Sequence, residues 1–160
     1  MAVACIHKCA SQSIGALMCR GSKWMKIHEV TEIEKRVMFL RDPIERLISC
    51  YCFLNTLREE NTSYDNFNFK HVDSWQTFVD YMLENRDTHW LPQSELMTLD
   101  GKFVPTEIVK FENINQWFSD IGIKLSKQNP SKKFLINLEY RKACLADYYH
   151  ADIKLRESVK

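Results

Sequence analysis

Two short segments of the sequence combine basic and hydroxyl side chains at spacings that suit a bound phosphate. The first segment follows the apolar run 1–6 and precedes apolar residues at helical spacing, so it predicts a strand, a loop and a helix in that order. Backbone N–H groups at such a turn point toward an anion, and the positive end of the helix dipole lies behind them. The residues of this loop are Lys8, Cys9, Ala10, Ser11, Gln12 and Ser13.

Lys8 gives the loop a full positive charge, while Ser11 and Ser13 add hydroxyl donors at the start of the predicted helix. The loop differs from the Walker A motif because its lysine precedes the small residues and Gly15 is the only glycine nearby. Taken alone, the loop therefore also fits an exposed lysine beside a serine that caps a helix.

The second segment places Arg41 directly after an apolar run and Ser49 eight residues later. Asp42 can cap a helix there, and Pro43 suits the first position of that helix. Ser49 then lies about two turns along the helix, where its hydroxyl and the Arg41 guanidinium can share one phosphate. The alternative is an ion pair of Arg41 with one of two acidic neighbours, Asp42 or Glu45.

Strands that alternate with helices must position these two segments. Such alternation predicts an α/β domain with a central, mainly parallel sheet flanked by helices, and with ligands bound beyond the carboxyl ends of the strands. The expected strands are the apolar runs 1–6, 37–40 and 107–111. A short helix through Trp117 and Phe118 should end at Gly122, and the pattern beyond Pro130 is helical.

Caps and apolar periodicity indicate two further helices. The first begins at Pro43, and the polar surface loop 58–70 follows it. The second opens with a capping-box pattern, Asp73 followed by Gln76, and should end near Asn85.

The composition narrows the class of protein. With 160 residues, 45% hydrophobic and 27% charged, we expect one globular domain over 1–160. The 22 basic residues nearly cancel the 21 acidic ones, so we expect no nucleic-acid partner. No signal peptide and no run of 18 apolar residues is visible, which predicts a cytoplasmic protein without a membrane segment. The six cysteines contain no CxxC pair, so we expect reduced thiols and no metal site.

At family level, segment 8–13 resembles the 5′-phosphosulfate loop of the carbohydrate sulfotransferases that use 3′-phosphoadenosine 5′-phosphosulfate (PAPS). Segment 41–49 resembles their 3′-phosphate motif, and the likeness is closest to the uronyl and heparan-sulfate 2-O group. Further likeness lies in His89-Trp90 with Pro92-Gln93, in Phe111-Glu112-Asn113 and in 148–155. The resemblance spans most of the chain and implies a P-loop-type three-layer domain.

The resemblance also implies roles for individual residues. Lys8 would hold the 5′-phosphosulfate and support the leaving oxygen, and the rest of the loop, Cys9, Ala10, Ser11, Gln12 and Ser13, would wrap that phosphate. Arg41 and Ser49 would bind the 3′-phosphate, and Lys132 and Lys133 would close over the nucleotide. The product would be adenosine 3′,5′-bisphosphate, and the acceptor a hydroxyl group, in first place that of a saccharide.

The general base should titrate near neutrality, which directs attention to histidine. His28 is the first choice because it lies between the two phosphate segments and because uronyl relatives use a histidine in that region. His89 is the rival and Glu29 a third choice. On the expected loops, Tyr64 and Trp90 are the aromatic side chains best placed to contact an acceptor.

Two other functions stay open on the sequence. One is a nucleotide-binding module of the same fold without activity, which would bind the bisphosphate but transfer nothing. The other is a small P-loop kinase, which would depend on magnesium and should carry the Walker glycines. Glu112 could orient basic side chains near the nucleotide or form a simple salt bridge. The sequence does not fix the oligomeric state.

Overall fold

The computed structural model describes residues 2–4, 9, 35–64, 67–125, 134 and 136–159. Within them, the strands are β1 (Ala2–Ala4), β2 (Arg36–Leu40), β3 (Thr98–Leu99), β4 (Lys102–Phe103) and β5 (Glu107–Lys110). The helices are α1 (Pro43–Glu59), α2 (Trp75–Glu84), α3 (Gln93–Leu96), α4 (Ile114–Asp120), α5 (Lys142–Tyr148) and α6 (His150–Ser158). Short 3₁₀ turns lie at Phe69–Val72 and Phe111–Asn113.

Three parallel strands form the main sheet, in the order β1, β2, β5. Val3 pairs with Val37, and Leu40 pairs with Lys110. Because β1 and β2 are parallel neighbours, the chain leaves both at the same edge of the sheet. The predicted mixture of helices with a parallel sheet is confirmed, whereas the P-loop-type three-layer arrangement stays a prediction.

The central strand β2 is buried on both faces. Val37 and Phe39 pack with Ile114 and Phe118 from α4. The alternate residues, Met38 and Leu40, pack on the other face with Cys9, Met97 and, from the end of the chain, Leu155 and Val159. Alternation of side chains between the two faces explains why this strand is continuously apolar.

Helix α1 begins as predicted at Pro43. The carboxylate of Asp42 accepts hydrogen bonds from the N–H groups of Ile44 and Glu45, both at 3.0 Å. The helix continues to Glu59, two residues beyond the predicted end at about Leu57. Its apolar side packs on α2 in a second core, which contains Leu47, Tyr51, Leu54, Trp75, Phe78 and Met82.

The predicted capping box of α2 is wrong. Ser74 is the cap, and its hydroxyl accepts a hydrogen bond from the N–H of Thr77 at 3.1 Å. The Asp73 carboxylate instead accepts a hydrogen bond from Arg58 at 2.6 Å. Because that arginine sits at the end of α1, the competing partner is supplied by tertiary packing and is invisible in the local pattern.

Three other element boundaries differ from the predictions. The expected strand 107–111 ends at Lys110, because Phe111 already begins a 3₁₀ turn. The helical pattern predicted beyond Pro130 becomes helix from Lys142 onward among the described residues. Strands β3 and β4 form an unpredicted hairpin, in which Asp100 and Gly101 both have positive φ angles, of 50° and 72°. An Asp-Gly pair is the standard signal for such a turn and could have revealed it.

Other boundaries lie close to the predictions: α2 ends at Glu84, beside the predicted Asn85, and β2 begins at Arg36, one residue before the predicted start. Strand β1 covers 2–4 of the expected strand 1–6, whose other residues lie outside the described part of the chain.

Gly122, with φ of 76°, ends the segment after α4 and donates its N–H to Ser119. Four cysteines lie in the described part of the chain as free thiols, three of them buried and Cys144 exposed. None of the helices described is long and apolar enough to cross a membrane.

Candidate functional site

The side chain of Gln93, at the start of α3, joins the two segments that the sequence predicts to bind phosphate. Its oxygen accepts hydrogen bonds from the thiol of Cys9 and from the backbone N–H of Arg41, each at 3.1 Å. Its nitrogen donates to the backbone oxygen of Arg41 at 2.7 Å. The fully buried amide thus pairs with Arg41 much as a neighbouring strand would. The loop residue and the strand end are therefore held at one place.

Cys9 turns its side chain into the protein. The thiol is 1% exposed and packs with Met38, Leu40 and Met97. Burial raises the pKa of the Cys9 thiol, so it stays protonated and acts as the donor to Gln93. The Cys9 side chain therefore belongs to the core beside Gln93, and its contact with the 5′-phosphate stays a prediction.

Arg41 lies at the carboxyl end of β2. Its guanidinium carbon is 4.9 Å from the ring centroid of Phe111, over the ring face. A guanidinium nitrogen is 3.9 Å from a carboxylate oxygen of Glu45, which is a long contact to an exposed side chain. This contact is the ion pair with Glu45 that the sequence offered as the alternative to phosphate binding. At that distance and exposure the ion pair with Glu45 is weak.

Ser49 lies two turns into α1 and is half-buried. Among the described residues, its hydroxyl has no hydrogen-bond partner. By contrast, the hydroxyl of Thr56 on the same helix donates to the backbone oxygen of Cys52 at 2.9 Å. The Ser49 hydroxyl can therefore donate a hydrogen bond to a ligand or accept one from it.

Arg46, which the sequence did not single out, is fully buried beside this motif. Its guanidinium donates to the backbone oxygens of Leu91 and Thr88, both at 2.8 Å. It therefore fixes the turn that carries His89 and leads to Gln93. Pro43 and Cys50, three residues before and four residues after Arg46, lie on its face of α1 and are buried, and that spacing was the sequence signal that could have marked it.

His89 is held between a carboxylate and a phenol. Nδ1 lies 2.6 Å from an Asp87 carboxylate oxygen, and Nε2 lies 2.5 Å from the Tyr64 hydroxyl. The same Asp87 oxygen accepts the backbone N–H of His89 at 2.8 Å. The Asp87 carboxylate favours the proton on Nδ1, and Nε2 then accepts the hydrogen bond of the Tyr64 hydroxyl.

The His89 group lines a cavity of about 310 Å³. Its walls contain Leu54, Tyr64, Phe67, Asn68, Tyr81, Asn85, Arg86, Asp87, His89 and Trp90. Trp90 is 3% exposed and its indole N–H donates to the backbone oxygen of Asn85 at 2.6 Å, so it belongs mainly to the core. Neither Arg41 nor Ser49 is among the lining residues, so His89 and the strand end stand in separate surroundings.

Glu112 forms a salt bridge with Arg156 of α6. The guanidinium donates to the carboxylate at 2.6 Å. Burial works against ionisation of Glu112, yet a backbone hydrogen bond and the Arg156 guanidinium together lower its pKa. Of the two predicted roles for Glu112, the simple salt bridge is therefore the one that has a direct contact.

Several predicted site residues lie outside the described part of the chain. They are Lys8, Ala10, Ser11, Gln12, Ser13, His28, Glu29, Lys132 and Lys133. Their roles stay predictions.

The parallel sheet, with Arg41 at the carboxyl end of β2 and Cys9 held beside it by Gln93, is that of an α/β protein, a class that binds ligands at that edge of the sheet. A protein-family model described as "Sulfotransferase family" matches residues 1–121. The match covers most of the chain, and the chain belongs to the sulfotransferase family. Searches among curated proteins and among solved structures found no match.

Proposed function

We propose that this protein is a sulfotransferase that moves the sulfuryl group of PAPS to a hydroxyl acceptor by in-line displacement. The observation that carries the proposal is the contact of Gln93 with both Cys9 and Arg41. It joins the two segments that resemble the 5′-phosphosulfate loop and the 3′-phosphate motif. The P-loop-type three-layer fold and the likeness to the uronyl and heparan-sulfate 2-O group belong to this proposal.

At the nucleotide end, the Arg41 guanidinium and the Ser49 hydroxyl bind the 3′-phosphate. A guanidinium fork and a neutral hydroxyl suit the oxygens of a phosphate monoester. Lys8 neutralises charge at the 5′ end and supports the leaving oxygen, while backbone N–H groups of 9–13 wrap the phosphate. Lys132 and Lys133 close over the nucleotide.

At the acceptor end, a base takes the proton of the attacking hydroxyl. PAPS supplies an activated sulfuryl group, whose bond to the 5′-phosphate oxygen breaks as the acceptor oxygen attacks sulfur. Alignment of the reactants and stabilisation of charge supply most of the rate in transfers of this kind. His28 is the proposed base. His89 is its rival, and the hydrogen bond between its Nδ1 and Asp87 supports that role.

The cavity beside His89 is proposed to hold the acceptor. Its walls combine aromatic rings with amide, carboxylate and guanidinium groups. Rings pack on the C–H faces of a sugar, while the polar groups bind its hydroxyls, so the cavity supports a saccharide. For transfer, the acceptor must extend from this cavity to the edge of the sheet.

The test is calorimetric binding of adenosine 3′,5′-bisphosphate, paired with transfer of labelled sulfate from PAPS to a panel of saccharides, lipids and phenols. Arg41→Ala should weaken bisphosphate binding by about tenfold or more, and Ser49→Ala by about fivefold, because a charged and a neutral hydrogen bond are lost. Arg141→Ala, which removes an exposed arginine paired with Asp80, is the control and should bind normally.

Unchanged affinity in both Arg41→Ala and Ser49→Ala would show the nucleotide assignment to be wrong. Bisphosphate binding by the wild type without transfer to any acceptor would instead identify an inactive module of the same fold. Lys8→Ala should lose transfer, because Lys8 supports the leaving oxygen. The base is whichever histidine, His28 or His89, loses transfer on substitution by alanine while the variant still binds the bisphosphate.

A further inference from the structure

Helix α6 lies beyond the matched segment 1–121, yet it places a buried carboxylate beside the candidate nucleotide site. Asp152 is fully buried. One of its oxygens accepts the backbone N–H of Gln93 and the other accepts the N–H of Ser94, both at 2.7 Å. The side-chain nitrogen of Gln93 lies 3.4 Å from the first oxygen. Asp152 thus supplies from another helix the cap that α3 lacks, since Pro92 at its cap position makes no side-chain bond.

A buried carboxylate at a helix end carries a desolvation penalty. Removing a charge from water costs free energy that hydrogen bonds must offset, and an apolar contact would hold two helices together without that cost. A carboxylate, unlike an apolar contact, fixes the orientation of the groups that bond to it. It holds both the backbone and the side chain of Gln93, the residue that contacts Cys9 and Arg41.

Helix α6 and the residue that follows it also pack beside Cys9 and the end of β2. Leu155 and Val159 lie against the core cluster that contains Cys9, Met38 and Leu40. The end of the chain therefore covers the sheet face at which β2 leads into Arg41.

We infer that Asp152 is a positioning residue of the nucleotide site. It acts through Gln93, which fixes the backbone of Arg41 and the thiol of Cys9, and so sets the distance between the two phosphate segments. The C-terminal helix is then part of the nucleotide site as well as of the core. This inference rests on the proposed function.

The first test variant is Asp152→Asn, which keeps the shape of the side chain but turns an amide N–H₂ toward one of the N–H donors. We expect bisphosphate affinity to fall by about tenfold, since one buried acceptor is lost and a mismatched donor is introduced. The KM for PAPS should rise more than kcat falls, because the substitution acts on the nucleotide end.

Tyr149→Phe is the matched control on the same pair of helices. The buried Tyr149 hydroxyl donates to the backbone oxygen of Trp90 at 2.7 Å, three residues before Gln93. The variant loses one buried hydrogen bond from the same turn but leaves Gln93 untouched. It should lose a comparable amount of stability toward urea while bisphosphate affinity stays within about twofold of the wild type.

A readout that needs no ligand separates failure of this inference from failure of the proposed function. The N–H of Arg41 bonds to Gln93, so its hydrogen exchange reports whether Gln93 is held. Asp152→Asn should speed this exchange relative to Tyr149→Phe. If exchange at Arg41 speeds up but the wild type binds no bisphosphate, the proposed function fails and the role in nucleotide binding fails with it.

If Asp152 acts through Gln93, the losses of bisphosphate affinity caused by substituting the two residues should not add. Gln93→Met should weaken bisphosphate binding as Asp152→Asn does, and the double variant should bind little worse than Gln93→Met alone. If Asp152→Asn does not fold, Gln93→Met carries the comparison with Tyr149→Phe. Additive losses, or equal effects of Asp152→Asn and Tyr149→Phe on affinity and on Arg41 exchange, would overturn the inference.

Discussion

The guanidinium of Arg41 owes its position to a strand that is far away in the sequence. Leu40 pairs with Lys110 in the parallel sheet, so the next residues of the two strands, Arg41 and Phe111, emerge side by side. The ring of Phe111 then lies under the guanidinium at 4.9 Å. Stacking on an aromatic face stabilises the guanidinium and leaves its positive charge in place.

His89 shows a similar dependence on neighbours. The sequence singled out His89, Tyr64 and Trp90 separately as loop residues, and Asp87 not at all. The structure joins Asp87, His89 and Tyr64 in one chain of hydrogen bonds. The short spacing of Asp87 and His89, two residues apart, was the available signal, because a carboxylate often holds a histidine this way.

Glu107 offers a test of stability against pH at the level of a single carboxylate. A hydrogen bond from Lys35 at 2.8 Å, and then one from the Trp117 indole at 2.8 Å, lower the pKa of Glu107. A carboxyl whose pKa is lower when folded stabilises the protein above its unfolded pKa, and that stabilisation is lost as the pH falls through the folded value.

Glu107→Gln should therefore be less stable than the wild type at about pH 7, and the gap should close as the pH falls below about 4. Urea unfolding at a series of pH values measures this. Glu139→Gln, an exposed residue paired with Lys142, is the control and should leave the pH dependence close to that of the wild type. A gap for Glu107→Gln that stays constant with pH would contradict the assignment.

At the scale of elements, helix α2 shows how tertiary packing can change the cap residue that a local sequence pattern predicts. The pattern favoured Asp73 as the cap, whereas Ser74 has extended backbone angles, φ −143° and ψ 161°, and bonds to the N–H of Thr77. Ser74→Ala should lower the free energy of unfolding by about 1 kcal/mol, the usual cost of losing a cap.

Asp73→Ala, by comparison, removes a contact of Arg58 with a carboxylate that is 65% exposed. Exposed ion pairs contribute little, so this variant should lose less stability than Ser74→Ala. Urea unfolding of the two variants decides the point. A larger loss for Asp73→Ala than for Ser74→Ala would contradict the expectation that the Ser74 cap contributes more than the exposed ion pair.

At the scale of the whole molecule, the turn 87–94 connects the helical core to the edge of the sheet. Three of its backbone oxygens are held from other elements: Thr88 and Leu91 by Arg46, and Trp90 by Tyr149. Asp152 holds the next two N–H groups. The turn carries His89, which lines the proposed acceptor cavity, at one end and Gln93, which contacts the proposed nucleotide site, at the other.

Arg46→Lys tests this connection. A lysine has one ammonium and cannot present the planar pair of donors that reaches Thr88 and Leu91 together. One partly buried oxygen is left without its donor, so the free energy of unfolding should fall by about 1–2 kcal/mol. Arg41→Lys, at the partly exposed arginine of the same motif, should lose less stability but more bisphosphate affinity. Urea unfolding and calorimetry together make this comparison, and the reverse ranking would mean that Arg46 faces the ligand.

The sequence alone determined the local features of this protein. The apolar run of β2, the cap and proline that start α1, and the spacing of Arg41 and Ser49 are set by neighbours within a few residues, which periodicity and capping rules can read. The same short motifs carried the resemblance to sulfotransferases, and the family match bears out that level of the assignment.

Only the tertiary structure decided how these segments meet. Cys9 and Gln93 are 84 residues apart, and Gln93 and Asp152 are 59 apart. No periodic pattern encodes such contacts, because they arise when separate elements bury their apolar faces and must still pair every buried polar group. Gln93, Arg46 and Asp152 were not assigned site roles from the sequence for this reason: each bonds mainly to backbone groups of a distant turn or strand end, which exist as partners only in the folded chain.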